Sequence, residues 1–414
     1  MLKSIFRFLP IRLITGWVIV TILPAFLLFS ELIFANAVEL SLTYSVTASF
    51  FAVFFTLMGS AHFSKYPAQQ SIHVLSLLLC MVILITGLVF FIFRLPYSVY
   101  YLTLSMVMLV VFGFFSQSIL QSMSKQVIGY IPIGRTNSLI NITDVDWLNI
   151  QDDKIDFKSI NAVVADFSDE RVQRDWAKVL AKISVSGIPV YNTLQAKELL
   201  TGRIAIAHLY ENDLGSLRLS PLYKIMKRLM DIGLVILSLP IVLPIMLITV
   251  ICIKFDSAGD AIFTQQRVGL GGRVFTMYKF RSMTTDAEDQ NILMTQVGDK
   301  RITRVGHIIR KLRIDELPQF WNILKGDMSL IGPRPELPNM VEKLEQGIPF
   351  YTYRQLVKPG LSGWAQVTQG GDHVENIAEK LEYDFYYIKN ASLSLDLLII
   401  IKTIQTILTG FGAR

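Results

Sequence analysis

The first third of this chain carries four apolar runs, at roughly residues 12–35, 42–59, 72–93 and 99–120. Each is close to the ~20 residues that a helix needs to cross the hydrocarbon core of a bilayer. Lipid offers the backbone no hydrogen-bond partner, so a run of this kind is satisfied only as a helix, and residues 1–121 are expected to form four transmembrane helices. The first run is too long for a removable signal peptide, lacks a small-residue cleavage pattern and is followed by three more. Lys3, Arg7 and Arg12 head the first run, Lys65 lies in the second loop and Lys125 follows the fourth run. The first loop has no Lys or Arg and the third has only Arg94, so the positive-inside rule puts both ends of the bundle in the cytoplasm. With 52% hydrophobic and 17% charged residues, the whole chain is more apolar than a soluble core requires.

From residue 122 to 221 the pattern changes to short apolar runs, "QVIGYIPI", "INAVVAD" and "IPVYN", separated by polar stretches. Val172, Trp176, Val179, Leu180 and Ile183 repeat at a helical period, and the segment reads as a small α/β (Rossmann-like) module. Gly129 and Gly134 do not form a GxGxxG after a strand, so no dinucleotide chemistry is assigned to it. A fifth apolar run, about residues 232–255, is long enough to span at ~36 Å as a straight helix. Pro240 and Pro244 lie in its middle, each removing a backbone donor, and basic residues flank both ends: Lys224, Lys227 and Arg228 before, Lys254 after. A re-entrant, Pro-broken membrane helix fits both facts, with Pro244 as its structural mark. Residues 222–414 then read as an α/β domain of mixed polarity closing on an apolar helix, about 394–409, expected on the membrane surface.

The net charge of +6 suits an anionic partner, which could be nucleic acid, a phosphorylated substrate or a lipid headgroup. Cys80 and Cys252 both fall in apolar runs, which leaves no disulfide framework or CxxC site. The polar chemistry concentrates in "RIDELPQFWNILKGDMSLIGPRPE". Asp315 and Glu316 precede Pro318, a residue suited to the first turn of a helix, whose positive end would keep both carboxylates ionised. An ionised Asp is a usable nucleophile or metal ligand. Lys300, Arg301, Arg304, Arg310, Lys311 and Arg313 lie just upstream, and "YKFRSM" adds Lys279 and Arg281; several of these are expected only to face solvent or anionic lipid. Arg334 is held between Pro333 and Pro335, a stiff frame for a guanidinium that matches phosphate oxygens. Two carboxylates for Mg²⁺ or attack, plus fixed cations for a diphosphate, are the equipment of phosphoryl transfer.

In order along the chain stand "KRLMD", the Pro-broken helix, "FTQQRVG", "YKFRSM", the Asp-Glu and Pro-Arg-Pro segment, "KPGLSGWAQV" and "YDFYYIKNASLSLDLLIIIKT". This series resembles the catalytic domain of the bacterial polyprenyl-phosphate hexose-1-phosphate transferases, the monotopic phosphoglycosyl transferases. The N-terminal spans and α/β module are similar to the large subgroup of undecaprenyl-phosphate galactose and glucose phosphotransferases, where that part is accessory and associated with a homodimer. The resemblance implies transfer of a sugar 1-phosphate from a UDP-sugar to undecaprenyl phosphate with release of UMP, through a covalent aspartyl intermediate and with Mg²⁺. It implies the first membrane step of exopolysaccharide, capsule or O-antigen assembly, at the cytoplasmic face of the bacterial inner membrane, with no nucleic-acid partner. Carried onto this sequence, Asp315 is the nucleophile, Glu316 holds Mg²⁺ beside it, and Arg334 clamps the phosphates. Lys279, Arg281, Arg304 and Arg313 are further substrate-binding candidates. Lys227 and Arg228 would meet the lipid phosphate at headgroup depth or anchor to bulk anionic membrane lipid. Two departures from the family pattern are Leu243 rather than Ser before Pro244, and "DSAGDAIF" with Ala258 and Asp260 where prolines are common. A membrane sensor or scaffold would leave the Asp-Glu and Pro-Arg-Pro motifs without a role.

Overall fold

The computed structural model describes residues 8–34, 39–63, 71–123, 126–142, 145–151, 160–206, 219–284, 301–369 and 377–409. Lys3, Arg7, Lys65, Lys125 and Lys300 lie outside these residues. The chain divides into two compact units, Met1–Thr201 and Gly202–Arg414.

In the first unit the expected apolar runs are membrane-length helices. The first comprises α1 (Leu9–Trp17), a π-helical segment Val18–Ile22 and α2 (Leu23–Phe34); α3 (Leu40–Phe63), α4 (Ser71–Phe93) and α5 (Val99–Met123) follow. Their common core is Val20, Ala52, Val53, Leu57, Leu75, Leu79, Leu109 and Phe112. Gly16 lets α1 approach closely, since a Cβ there would lie 2.9 Å from Phe112 and 3.0 Å from Val53. Small residues at such contacts bring helix backbones together where lipid supplies no hydrophobic drive between helices.

The same unit holds a four-stranded sheet of β1 (Gln126–Tyr130), β2 (Val145–Asn149), β3 (Ala162–Ala165) and β4 (Val190–Asn192), in the order β2-β1-β3-β4 with every pair parallel. All four residues of β3 are buried, as a parallel strand covered on both faces requires. One face packs Ile131, Ile150 and Val163 with Leu180 of α6 (Ala177–Val185), and the other Ile128, Leu139 and Val164 with Ala196 of α7 (Thr193–Thr201). After β1, Gly134 takes φ +68°, and Asp166 closes the turn by accepting the Arg135 N–H at 2.9 Å. The module is Rossmann-like, but a protein carboxylate occupies the turn.

The second unit begins at Gly202, not with the membrane helix. The Trp364 indole donates to the Gly202 carbonyl at 2.8 Å, and the Ile204 N–H to the Glu382 carbonyl at 3.0 Å. The membrane helix α8 runs over Pro221–Asp256, with Pro240 and Pro244 inside it. Both prolines interrupt its hydrogen-bond ladder without ending it. Near its start Val235 packs with Phe275, Met277 and Ile323, and the Asp231 carboxylate accepts the Leu330 N–H at 3.2 Å. Near its end Ile253 packs with Ala261, Phe280 and Ile309, and Asp256 accepts the Val305 N–H at 3.2 Å. A spanning helix would leave those ends on opposite sides of a hydrocarbon layer ~30 Å thick. Here both ends rest on one catalytic body, as a re-entrant helix requires, and Leu237, Ile241, Leu243, Leu247 and Ile248 between them are exposed.

The catalytic body is a hairpin of β5 (Ile262–Val268) and β6 (Val274–Phe280), helices α9 (Arg304–Lys311) and α10 (Gln319–Lys325), strand β7 (Ser329–Ile331), α11 (Pro338–Gly347), strand β8 (Gly360–Ser362), and α12 (Trp364–Gln369), α13 (Ile377–Lys389) and α14 (Leu393–Thr409). The expectation that α14 lies on the membrane surface gives way. Leu395, Leu398, Ile399 and Ile401 are fully buried, so packing within the unit consumes its apolar face.

β7 and β8 pair in parallel, and glycines set how closely their flanking loops meet. A Cβ on Gly360 would fall 2.1 Å from the Gly332 nitrogen and 2.4 Å from the Ser362 carbonyl oxygen, both rigid backbone. Gly360→Ala should therefore destabilise the protein by about 3 kcal/mol or more, the scale of a severe core defect. Gly233→Ala, at a helical position with nothing within 4 Å, should be neutral or stabilising by up to ~1 kcal/mol. Thermal unfolding of the two purified variants checks the contrast.

Candidate active site

The Asp-Glu pair is positioned by a sharp change of direction. At the end of α9 Arg313 adopts a left-handed backbone conformation, φ 56°, and the chain turns into one 3-10 turn, Ile314–Glu316. Pro318 then caps the short helix α10. The carboxylates were expected to be held ionised by the positive end of a helix. They occupy their own turn ahead of it; neighbouring cations hold Glu316 ionised, whereas Asp315 is pushed towards its neutral form.

Those cations converge on Glu316. Its Oε1 lies 3.0 Å from Arg334 Nη1, 3.5 Å from Arg313 Nη1 and 3.6 Å from Lys279 Nζ. β6 supplies the lysine, the turn itself Arg313, and the loop after β7 Arg334. Burial works to raise the Glu316 carboxyl, but Arg334, Lys279 and Arg313 outweigh it and hold the group well below the usual carboxylate range. Asp315 is the opposite case. Burial first, and then the Glu316 charge, push its carboxyl up to about 6 against the pull of Lys279, Arg310 and Arg313. Among the described residues its buried Oδ1 has no hydrogen-bond partner. Lys279 is pulled below its ordinary value, first by burial and then by the Arg334 charge. Two neighbouring carboxyls are thus driven apart, one held well below and one above the usual carboxylate range.

The Pro-Arg-Pro loop is braced from behind. Pro333 and Pro335 are buried. Arg354 Nη2 donates to the Arg334 carbonyl at 3.0 Å and Arg267 Nη1 to the Pro335 carbonyl at 3.0 Å. Arg354 is itself held by Asp384 at 2.8 Å and the Tyr351 hydroxyl at 2.7 Å. Glu336 pairs with Lys380 at 3.0 Å and lies 3.8 Å from both Arg267 and Arg354. None of Arg267, Glu336, Arg354, Lys380 and Asp384 was singled out from the sequence. The only local signal is a carboxylate inside the aromatic run "YDFYY".

The structure gathers Lys279, Arg313, Glu316 and Arg334 into one cluster, with Asp315 adjoining. The other candidates have different surroundings. Both Arg228 terminal nitrogens donate to the carbonyls of Ile323 and Leu324 at the end of α10. Lys227 pairs with the fully buried Asp396 at 3.0 Å. Arg281 donates to the carbonyls of Ala258 and Ser257 at 2.7 and 2.8 Å, fastening the turn that leaves the membrane helix. Arg304 is exposed on the first turn of α9, and Pro244 is exposed in the middle of α8.

Among the described residues no group of three or more His, Cys, Asp or Glu side chains is arranged to hold a metal ion. Mg²⁺ is usually held by one or two carboxylates together with substrate phosphates and waters. The unpartnered Asp315 Oδ1 offers one such hard oxygen, whereas Glu316 is already matched by cations. The donor set fits an ion that arrives with a phosphate ligand better than one caged by protein.

The membrane helix is joined to a body in which three cations converge on the buried Glu316 beside Asp315, an arrangement suited to phosphoryl transfer at a membrane. Residues 222–410 match the bacterial sugar transferase family. A relative from Aeromonas hydrophila, UDP-N-acetylgalactosamine-undecaprenyl-phosphate N-acetylgalactosaminephosphotransferase, is 50% identical over 285 residues, covering 69% of this chain and 67% of that protein. UDP-glucose:undecaprenyl-phosphate glucose-1-phosphate transferases from Caulobacter vibrioides and Klebsiella pneumoniae are 40% and 36% identical, over 45% and 52% of this chain and 71% and 46% of theirs. The chain belongs to the bacterial sugar transferase family.

The brace behind Arg334 makes a quantitative expectation possible. Arg354→Met should destabilise the protein by about 3–5 kcal/mol, because it leaves Asp384 buried and unpaired. Adding Asp384→Leu should recover a large part of the loss, since the orphaned charge goes with it. Thermal unfolding of the two single variants and the double variant gives the coupling directly.

Proposed function

We propose that this chain transfers a sugar 1-phosphate from a UDP-sugar to undecaprenyl phosphate through a covalent intermediate on Asp315. The observation that carries this reading is the buried, unpartnered Asp315 Oδ1 next to a carboxylate that three cations already neutralise. In the first step the Asp315 oxygen attacks the sugar-bearing phosphorus. The bond from that phosphorus to the bridging oxygen breaks, and UMP leaves with the electron pair. In the second step a phosphate oxygen of the lipid attacks the same phosphorus, the acyl-phosphate bond breaks, and Asp315 returns as carboxylate. The acceptor is a phosphate monoester with a second pKa near ~6, so its attacking oxygen needs no general base at neutral pH. A covalent carrier also lets a soluble nucleotide and a membrane lipid use one site in turn.

Lys279, Arg313 and Arg334 outnumber the two carboxylates, so the cluster attracts a diphosphate, and Arg334 is presented rigidly enough to grip it. Mg²⁺, when bound, would be held by Asp315 with Glu316 beside it and would neutralise charge on the phosphates. Glu316 orders the three cations and keeps the Asp315 carboxyl from ionising too readily. Lys227, Arg228 and Arg281 act as anchors that set the catalytic body on the membrane helix. Undecaprenyl phosphate would reach the site at headgroup depth, where α8 enters and leaves the bilayer. UDP-N-acetylgalactosamine is the first donor to try, on the strength of the relative from Aeromonas hydrophila.

Release of UMP from a panel of UDP-sugars, with and without undecaprenyl phosphate, tests donor and acceptor together. Asp315→Asn should abolish transfer, because an amide cannot form the acyl phosphate, and should not lower thermal stability, because it removes a buried and unsatisfied charge. More than a few per cent of wild-type turnover in the folded variant would remove Asp315 from the nucleophile role. The attacking form is the ionised one, so the wild-type rate should fall as pH drops through about 6. In Glu316→Gln, with a neighbouring negative charge gone, whatever activity survives should lose that acid limb at lower pH.

The site is proposed to face the cytoplasm, where nucleotide sugars are made. Single cysteines replacing Ser186 in the α/β module and Asp260 after α8, in a chain lacking Cys80 and Cys252, should both resist an impermeant thiol reagent until cells are opened. Labelling at position 260 alone in intact cells would establish a fifth span instead.

A further inference from the structure

The N-terminal bundle contains a buried cation that the reaction does not use. Arg12 belongs to α1, inside the stretch Leu9–Phe29 that is long and apolar enough to cross a membrane, and it is only 4% exposed. Its Nε is buried with no hydrogen-bond partner, and no carboxylate pairs with it among the described residues. The sequence explains why. Glu31 and Glu39 are the only acidic residues among positions 1–123, and nineteen or more residues of chain, about 28 Å of helix, separate them from Arg12.

Helix register shows what lies beside it. Thr21 meets Ser49 at 3.4 Å and accepts through its carbonyl from the Tyr101 hydroxyl at 3.0 Å. Just over a turn earlier Gly16 faces Val53, Leu57 and Phe112. The partners' numbers rise as those of α1 fall, so one further turn brings Arg12 level with Thr56, Ser60, Ser116 and Gln117. At that level α3 and α5 touch, because Ser60 Oγ donates to Gln117 Oε1 at 3.1 Å. Thr56 and Ser116 are 0% and 1% exposed, and the buried hydroxyl of each has no partner among the described residues. One layer of the bundle thus holds a guanidinium Nε and two hydroxyls that are buried without a partner among the described residues, a costly arrangement inside a membrane.

We propose that this layer is a binding site for the phosphate headgroup of an anionic lipid, entering sideways from the leaflet at that end of the bundle. A guanidinium matches phosphate oxygens in a fork, hydroxyls complete the donor set, and an anion supplies the countercharge that a buried arginine requires. A lipid is favoured over soluble phosphate because Arg12 lies within a stretch long and apolar enough to cross a membrane. The site belongs to the N-terminal unit and stands independently of the reaction proposed above.

The test uses the full chain in nanodiscs of phosphatidylcholine alone, with phosphatidylglycerol, with undecaprenyl phosphate, or with added inorganic phosphate. Wild-type protein should gain about 2–4 °C in thermal midpoint with an anionic lipid. Arg12→Gln should gain nothing and should retain roughly tenfold less phosphate-bearing lipid by native mass spectrometry. Thr56→Val with Ser116→Ala, which keeps the charge, should show a partial loss and guards against misfolding of the arginine variant. A gain with phosphatidylglycerol supports the site and names a glycerophospholipid; a gain with undecaprenyl phosphate only supports it and names the polyprenyl lipid. No gain in wild type, an equal gain in Arg12→Gln, or an equal gain from inorganic phosphate overturns it.

Discussion

The catalytic unit is organised around one electrostatic constraint, the burial of Glu316 among Lys279, Arg313 and Arg334. A carboxylate removed from water is tolerated only when opposite charges and hydrogen bonds replace its hydration. Three separate pieces of chain must therefore arrive at one oxygen: the last part of β6, the turn after α9 and the loop after β7. Their arrival forces Asp315 into a neighbouring position where it is buried without a partner of its own. The satisfied group and the frustrated one are two sides of the same arrangement. Frustration of that kind, a group held ready and unpaired, is what a nucleophile or a metal ligand requires.

The surroundings of that cluster are built for rigidity. Arg354 and Arg267 grip the backbone carbonyls on either side of Pro335, and Asp384, Glu336 and Tyr351 lock the two arginines. Close backbone contact through Gly332 and Gly360 ties the same loop to β8. The direction of the Arg334 guanidinium is thereby set by several contacts far apart in the chain, and a group fixed in this way loses little freedom when it takes up a charged ligand. The membrane helix is fixed to the same body, since Arg228, Asp231 and Asp256 join it to the catalytic unit.

Much of this was legible in the sequence, and the reasons differ by feature. The four spans and the Pro-interrupted fifth run announce themselves because chain length and hydropathy are local properties that the bilayer reads directly. Asp315, Glu316 and Arg334 stand out because prolines stiffen the chain beside them. The roles of Lys227, Arg228 and Arg281 were not legible. A cation that caps helix carbonyls, one that pairs with a buried Asp396 and one that faces lipid phosphate look alike in a list of residues. Arg12 illustrates the same ambiguity, for what reads as a flanking charge is buried within the bundle.

By itself the amino-acid sequence determined where the membrane segments lie, the α/β character of the module, and the short motifs that hold the reactive groups. These follow from periodicity, from the length of apolar runs and from the restricted backbone of proline, all of which act over a few neighbouring residues. Only the tertiary structure decided which cations meet Glu316, that both ends of α8 return to one body, and that α14 spends its apolar face within the protein. The pairing of Arg354 with Asp384 joins residues thirty positions apart. Partners of that kind are selected by the cost of leaving a charge buried and alone, and that cost arises only once packing has excluded water from both.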